Sequence, residues 1–431
     1  MMTSIAMYPE DAYSTILNQL PRKKNPDKFR GCLIGGAAGD ALGYAVEFLS
    51  ESAIRARFGA KGITEYQLQD GLARISDDTQ MTMFTANGLL FGFTRLLTHG
   101  SLGAGLSDFI RYAYQDWYRT QTEPYRRPDR KEQFFYSWLM NVPELYARRA
   151  PGNTCLSALQ DGDPCSIRNP RNNSKGCGGV MRVAPIGLLC EQGYLPQEVD
   201  LLGAEAAALT HGHEMGYIPA AMLVHIVQLS ALCEGVSLKA AVLDSKLAMK
   251  RLFPESRELP GFLKRIDKAV ELSESDVPDL DAIHQLGQGW VGDEALAIAV
   301  YCALKYSYDF DKALIAAVNR SGDSDSTGAI TGNILGASLG LSRIPRKYID
   351  HLELVDVLTE LADDLYDGCP LNGYAEVSEP RDVAWERKYI FMEYPEQKTY
   401  PGKKLIDIHM HLVPGVDNGA EDANMALQML L

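Results

Sequence analysis

Residues 31–43 have the sequence GCLIGGAAGDALG, in which glycine recurs at positions 31, 35, 39 and 43. Residues four apart lie on one face of an α-helix, so this spacing predicts a helix with a stripe free of side chains. Glycine within a helix costs about 1 kcal/mol relative to alanine, and four in register therefore indicate very close approach of a second helix. Glu47 is next on the stripe. Two interpretations stay open: packing alone, or packing that also brings Glu47 to a functional site.

Other apolar, alanine-rich segments also have helical spacing and are bounded by glycine, proline or charged residues. They cover residues 80–97, 201–209, 217–232, 238–252 and 295–304. The sequence has no succession of alternating strand segments joined by hairpin turns, which favours an all-α fold. Its 431 residues suffice for one large helical domain with a tail.

We expect the chain to divide into four parts. These are an N-terminal extension over residues 1–28, a main domain over 29–367, a linker over 368–402 and a separate short segment over 403–431. The linker is predicted because its proline, glutamate, tyrosine and lysine residues follow no clear period. Within the main domain, residues 120–130 and 161–179 are predicted to form loops, and long loops of this kind are often functional.

The composition excludes some classes of protein. A formal net charge of -14 argues against a protein that binds nucleic acid through bulk positive charge. The eight cysteines contain no C-x-x-C pair, which is typical of reduced thiols. The N-terminus has no secretion pattern, and the apolar run at 31–46 is too short to span a bilayer. We therefore expect a soluble cytoplasmic protein without membrane contact, while the sequence does not indicate its oligomeric state.

Two acidic runs, SDDT at residues 76–79 and GDSDSTG at residues 322–328, each lie at the start of a predicted helix. Hard cations such as Mg²⁺ prefer carboxylate, hydroxyl and water oxygens, and neither run contains the histidine or thiolate that would favour zinc. A structural alternative exists, because Ser and Asp cap helices and acidic residues suit the helix dipole. The occurrence of both runs favours a paired-metal site formed by four aspartates together with Glu47.

Three further features are candidates for substrate binding. Residues 176–182 read GCGGVMR, and such a bare backbone could approach a ribose or pyrophosphate and donate amide hydrogens, although packing explains it equally well. His211 lies at a predicted helix end, where a histidine is more often structural. Trp290 could stack on a base or fill the core, and the core is the favoured interpretation.

Taken together, these motifs resemble those of the ADP-ribosylglycohydrolase family, which includes the dinitrogenase reductase-activating glycohydrolase. The resemblance covers roughly residues 29–367. It rests on five ordered motifs, which are 35–43 with Glu47, 76–79, 176–185, Gly289-Trp290 with 294–296, and 322–326. It implies an orthogonal all-α fold around two Mg²⁺ or Mn²⁺ ions, and hydrolysis of the bond between C1 of the distal ribose of ADP-ribose and an acceptor.

The resemblance also implies roles for individual residues. By motif, the metal ligands would be Ser76, Asp77, Asp78, Asp323, Asp325 and Ser326. Asp77 and Asp78 would be catalytic together with Glu47, which would ligate a metal or handle the proton of the water or leaving group. The residues in contact with ADP-ribose would be Gly176, Cys177, Gly178, Gly179 and His211. The family often has Thr at the position of Ser76 and Asn at that of Cys177, and the second difference could alter substrate contacts.

The resemblance makes arginine on protein the default acceptor, while serine, an acylated ADP-ribose or a nucleic-acid base stay open. The partner would then be an ADP-ribosylated protein or a small ADP-ribose conjugate. The alternative function is a non-catalytic ADP-ribose-binding or toxin-neutralising protein.

The end of the chain resembles a different family. Residues 406–419, IDIHMHLVPGVDNG, are similar to the opening of PHP-type metal-dependent tyrosine phosphatases. His409 and His411 would lie on one face of a strand, as metal binding requires. The sequence stops before the remaining ligands of such a site, so an inactive truncated fragment is expected.

Overall fold

The computed structural model describes residues 16–99, 105–126, 134–160, 165–190, 193–371 and 379–393. All of them belong to one compact unit. Their regular secondary structure is helical, and apart from three isolated β-bridges these residues contain no strand pairing. The prediction of an all-α fold is confirmed.

The described residues form α-helices with the following bounds: α1 (Ile16–Gln19), α2 (Pro26–Tyr44), α3 (Glu51–Phe58), α4 (Asp77–His99), α5 (Leu106–Thr122), α6 (Asn153–Gln160), α7 (Pro196–Ala208), α8 (Glu214–Leu232), α9 (Leu238–Leu252), α10 (Leu259–Ser273), α11 (Asp279–His284), α12 (Gly292–Lys305), α13 (Phe310–Val318), α14 (Ser324–Leu339), α15 (Val355–Asp367) and α16 (Pro380–Tyr389). The five helices expected from apolar spacing correspond to α4, α7, α8, α9 and α12.

The glycine stripe of α2 packs directly against α14, and the two helices run antiparallel. A Cβ atom added at Gly39 would lie 2.0 Å from the carbonyl oxygen of Gly328, and one at Gly332 would lie 1.9 Å from that of Gly35. No carbon atom fits at such distances, so the two backbones are in contact. The predicted close approach of a second helix is confirmed.

α14 carries a glycine stripe of its own, at positions 328, 332, 336 and 340. This second stripe was not among the predicted features, although its spacing is the same as that in α2. Pairing of the two stripes brings Gly43, near the end of α2, against Ser324 at the start of α14. The acidic run that begins α14 is thereby held beside the end of α2 that leads to Glu47.

The same helix also fixes the start of α4. Asp40 in α2 is fully buried, and its carboxylate accepts hydrogen bonds from the backbone N–H of Ser76 (3.0 Å) and of Thr79 (3.2 Å). A carboxylate that accepts from the first N–H groups of a helix caps it and suits its dipole. α2 therefore positions the first turns of both α4 and α14, which carry the two acidic runs.

The folded unit extends beyond the predicted limits of 29 and 367. α1 inserts Leu17 into a cluster that includes Leu229 of α8. At the other end, α16 lies within the predicted linker, yet Trp385 is buried and donates a hydrogen bond to Thr94 of α4 (2.9 Å). The predicted segment at 403–431, with its phosphatase-like motif, lies outside the described residues.

The central helix is α8, which is long and apolar enough to cross a membrane. Its apolar window is entirely buried inside the protein, as expected of a core helix. Within it, His225 is fully buried between two carboxylates, with Nδ1 2.8 Å from Asp200 and Nε2 3.1 Å from Asp244. Burial opposes the charged imidazole, but the two carboxylates outweigh burial and raise the pKa of His225 to about 9.

This ion triad predicts a loss of stability in alkali. An unfolded histidine titrates near pH 6.5, so stabilisation by charged His225 is complete below that pH and disappears as the pH rises through about 9. We expect the wild-type free energy of unfolding to fall by roughly 3 kcal/mol over this range, and His225→Gln to lack this fall. Urea denaturation at several pH values measures both. Parallel declines in the two proteins would contradict the assignment.

Candidate functional site

The first turns of α4 and α14 meet the end of α2 at a cleft of about 200 Å³. Its acidic side is formed by Glu47, Asp77, Asp78, Asp323, Asp325 and Ser326. Each of these six side chains is less than a tenth exposed. The structure thus brings together both acidic runs and the glutamate at the end of the glycine stripe, as the sequence predicted.

The start of α4 orients its two aspartates differently. Ser76 is the residue before the helix, and its hydroxyl accepts a hydrogen bond from the backbone N–H of Asp78 (3.2 Å). The carboxylate of Asp77 accepts from the backbone N–H of Gly152 (3.2 Å). The Oδ2 atom of Asp78 is buried and has no hydrogen-bond partner within the part of the chain that the structure describes. Asp78 therefore keeps one carboxylate oxygen for a ligand.

The start of α14 is held by a buried arginine beneath it. Arg320 donates to the backbone carbonyl of Asp323 (2.5 Å) and to that of Gln288 (2.7 Å). The carboxylate of Asp323 caps the helix by accepting from the N–H of Ser326 (3.2 Å), and it also accepts from the thiol of Cys177 (2.6 Å). The arginine neutralises none of the carboxylates directly, because it is bonded to backbone oxygens and Thr327.

The acidic side is electrostatically strained. Burial, followed by repulsion from Asp323 and Asp77, raises the pKa of Glu47 to about 8. Burial likewise raises the pKa of Asp77 to about 8, and the pKa values of Asp78 and Asp325 lie well above their usual range for the same reason. Like charges confined at short range disfavour joint ionisation. A bound cation would offset this repulsion.

The donor set fits a hard divalent cation. Glu47 Oε2 and Asp78 Oδ2 are buried oxygens that have no hydrogen-bond partner among the described residues, so both are available to a cation. Among the described residues, no three acidic, imidazole or thiol groups form a ready-made cage around one ion. Mg²⁺ is commonly held by one or two carboxylates and several waters, so an open arrangement of oxygens suits it. The two-ion centre itself stays a prediction.

The opposite side of the cleft carries the glycine loop and His211. Arg182 is fully buried and donates to the hydroxyl of Thr210 (2.7 Å), which lies 2.8 Å from His211 Nδ1. Burial and the nearby Arg182 lower the pKa of His211 to about 3, so the ring is neutral. If the Thr210 hydroxyl donates to Nδ1, the ring proton lies on Nε2. His211 then offers one N–H donor to the cleft.

A family model described as ADP-ribosylglycohydrolase matches residues 21–375. The chain belongs to the ADP-ribosylglycohydrolase family. The family and the enzyme class predicted from the sequence, a hydrolase of ADP-ribose glycosidic bonds, are confirmed.

Several individual proteins are similar to this ADP-ribosylglycohydrolase. An uncharacterized protein of Archaeoglobus fulgidus is 28% identical, with 79% of this chain and 96% of that protein covered. ADP-ribosylhydrolase ARH3 of Mus musculus is 25% identical, with 79% of this chain and 91% of that protein covered. ADP-ribosylarginine hydrolase Tri1 of Serratia proteamaculans is also 25% identical, with 80% and 81% covered.

Two predicted site residues of this ADP-ribosylglycohydrolase do not line the cleft. Ser76 is fully buried behind Asp78. Gly179 packs against α8, since a Cβ atom there would lie 2.5 Å from the carbonyl oxygen of Gly216. Gly176, Cys177 and Gly178 do line the cleft. The predicted contact surface of the glycine loop is therefore shorter by one residue.

The environment of one aromatic residue differs from the prediction, and two further residues, one aromatic and one acidic, have roles that the sequence did not indicate. Trp290 was expected in the core, but it is 41% exposed and lines the cleft. Phe48 received no role, although it directly follows Glu47 and is 72% exposed. Asp40 was predicted only as part of the motif at 35–43. Its role in capping α4 was missed because it depends on a contact between residues far apart in the chain.

Proposed function

We propose that this ADP-ribosylglycohydrolase removes ADP-ribose from a modified acceptor by metal-assisted attack of water at C1 of the distal ribose. The observation that supports this most is the pair of unsatisfied buried oxygens, Glu47 Oε2 and Asp78 Oδ2, on the acidic side of the cleft. Both are carboxylate oxygens that line one acidic cleft, where a cation or a substrate would give them partners.

The proposed metal ligands come from both helix starts. Asp77 and Asp78 from α4, with Asp323, Asp325 and Ser326 from α14, would hold two Mg²⁺ or Mn²⁺ ions, and Ser76 would support them from behind. Such ions, when bound, lower the pKa of a water that they hold and orient the hydroxyls of a substrate. The fixed first turns of the two helices set the separation of the ligands.

Glu47 is the proposed proton-handling residue. Burial and the nearby carboxylates raise the pKa of Glu47 in the metal-free chain, and bound cations would lower it towards the range in which a carboxyl both gives and takes protons near neutral pH. Within this proposal it gives its proton to the leaving group or takes one from the attacking water. Its position beside the aspartates, just beyond the end of α2, would bring it next to the bond that breaks.

The remaining side of the cleft would bind ADP-ribose. Gly176 and Gly178 present backbone without side chains, and His211 Nε2 would lie 3.3 Å from a Cβ atom built at either position. A ribose or phosphate oxygen could accept from Nε2–H there, because a neutral imidazole with its proton at Nε2 donates in that direction. Cys177 would lie between this surface and Asp323.

The proposed acceptor is arginine on protein. Support comes from Tri1 of Serratia proteamaculans, whose name gives its substrate as ADP-ribosylarginine. ARH3 of Mus musculus is equally similar at 25% identity, and its name states no acceptor. Identity therefore does not select the acceptor, and an assay has to.

The proposal predicts metal-dependent release of free ADP-ribose. The assay offers an arginine-ADP-ribosylated protein and a serine-ADP-ribosylated protein, each with Mg²⁺, with Mn²⁺ and with chelator. We expect release from the arginine conjugate with either metal and none with chelator, because the proposal assigns activation of the water to the bound ions. Release that persists in chelator would overturn the metal role. Binding of ADP-ribose without release from any conjugate would instead support the non-catalytic alternative.

A further inference from the structure

Two aromatic rings stand exposed at the mouth of the cleft. Phe48 and Trp290 stack with ring centroids 6.1 Å apart and an interplanar angle of 21°. They are 72% and 41% exposed, respectively, which is unusual for side chains whose burial would each stabilise the fold by a few kcal/mol. An exposed aromatic pair beside a polar cleft is typical of a ligand-binding surface.

The frame around Trp290 is rigid. The carboxylate of Glu294 accepts hydrogen bonds from the backbone N–H of Gln288 (2.9 Å) and of Gly289 (3.2 Å). The carbonyl of Trp290 accepts from the N–H of Cys177 (3.2 Å), which ties this segment to the glycine loop. The buried Arg320 holds Gln288 and the start of α14 together. Trp290 is thus preorganised relative to the carboxylates, and its exposure is not that of a loose loop.

In the proposed function, Glu47 meets the bond between ribose and acceptor, and the ring pair lies beside Glu47, with Trp290 in the cleft lining and Phe48 stacked on it. Glu47 and Phe48 are neighbours in the chain, but the first is 8% exposed within the cleft and the second 72% exposed at its mouth. Trp290 lines the same cleft as Glu47. In an ADP-ribose conjugate, the acceptor is attached at C1 of the distal ribose, whereas adenine lies beyond two phosphates and a second ribose. A ring pair next to Glu47 therefore faces the acceptor.

We infer that Phe48 and Trp290 form a stacking surface for the guanidinium group of an ADP-ribosylated arginine. This inference rests on the proposed function and specifies its acceptor. A guanidinium is planar, stays charged and packs flat on aromatic faces, with Trp as the strongest partner. A hydroxyl acceptor such as serine has neither the plane nor the charge, so the pair would select arginine.

The test compares substitutions that remove the aromatic faces with substitutions that keep them. Phe48→Leu and Trp290→Leu retain apolar bulk without a π face, while Phe48→Tyr and Trp290→Phe retain a ring. Tyr308→Leu is the matched control, because Tyr308 is 83% exposed and does not line the cleft. Each protein is assayed on arginine-linked and serine-linked conjugates. Calorimetry in chelator then measures the affinity for intact ADP-ribosylarginine peptide and for free ADP-ribose without turnover.

We expect each leucine variant to lose roughly 5- to 30-fold in kcat/KM for the arginine conjugate, with a smaller change for the serine conjugate. The ring-retaining variants recover most of this loss, and Tyr308→Leu shows none. In chelator, the leucine variants lose affinity for ADP-ribosylarginine but not for ADP-ribose.

An equal loss of affinity for free ADP-ribose would overturn the inference, because the rings would then stack on adenine. Unchanged kinetics in both leucine variants would overturn it too, while normal release by the wild type would leave the proposed function intact. If the wild type neither releases nor binds any conjugate, the proposed function fails and the inference fails with it.

Discussion

Substitution of Asp325 by alanine is expected to reduce the release of ADP-ribose by about two to three orders of magnitude, the usual effect of losing one group that stabilises developing charge. Asp325 lies in the first turn of α14 and is only 3% exposed, among Asp78, Asp323 and Glu47. Its carboxylate is proposed to hold a cation that activates water, and alanine offers no replacement ligand. The release assay with Mg²⁺ measures the loss.

The stability of this variant should change in a way that ordinary damage to the fold would not produce. Burial and neighbouring carboxylates place the pKa of Asp325 well above its usual range, so its removal relieves repulsion in the metal-free protein. In chelator, the variant should therefore unfold at the same temperature as the wild type or higher. With Mg²⁺, only the wild type should gain stability, because a ligand stabilises the state that binds it.

Asp356→Ala is the matched control. Asp356 also occupies the first turn of a helix, α15, but it is exposed and far from the cleft lining. We expect it to keep full release and the full Mg²⁺-dependent gain in stability. An Asp325→Ala protein that releases ADP-ribose as fast as this control would rule out the proposed metal centre.

Substitution of Gly336 by alanine is expected to destabilise the fold by about 3 kcal/mol or more, at the upper end of the cost of overpacking. The new Cβ atom would lie 1.8 Å from the carbonyl oxygen of Gly31. A flexible side chain could move away from such a contact, but here both partners are helix backbone. Relief requires α2 and α14 to separate, which would also disturb the starts of α4 and α14. Thermal and urea unfolding measure the effect.

Substitution of Gly261 by alanine should change the free energy of unfolding in the opposite direction. Gly261 lies in α10, is exposed, and has no atom within 4 Å of an added Cβ. Alanine there should stabilise the protein by up to about 1 kcal/mol, because it restricts the unfolded chain and favours the helix. Equal effects at the two positions would show that the glycine stripe has no special role in packing.

The sequence permitted the prediction of features that depend on local pattern. The apolar spacing of residues 80–97 predicted α4, and the chemistry of the two acidic runs predicted a common site. Glu47 lines the cleft, which is one of the two interpretations that the four-residue spacing left open, although α2 already ends at Tyr44. The helix needs only residues that are close in the chain, and each acidic run is recognisable by itself, although the two runs are far apart in the chain.

Other features depend on contacts that no local pattern contains. The capping of α4 by Asp40 joins residues 36 and 39 positions apart, and the buried Arg320 holds a loop and a helix start at once. Trp290 has a large apolar side chain of the kind that is usually buried in a core. It lies at the cleft because hydrogen bonds fix the path of its backbone. The second glycine stripe could have been recognised from the sequence, since α14 repeats the spacing of α2. Its pairing with α2 is a tertiary contact that the sequence pattern does not show.

The glycine pairing of α2 and α14 also limits how this enzyme can diverge. Side-chain packing can drift through many small compensating exchanges, but two backbones in contact leave nothing to exchange. The distance between the carboxylates at the ends of these two helices is therefore fixed by the backbone contact. Moving these carboxylates to fit a new substrate would break that contact. Change is confined to the mouth of the cleft, where Phe48 and Trp290 can be replaced without touching that contact. Relatives with this pairing should share one reaction and differ in the molecules they admit to it.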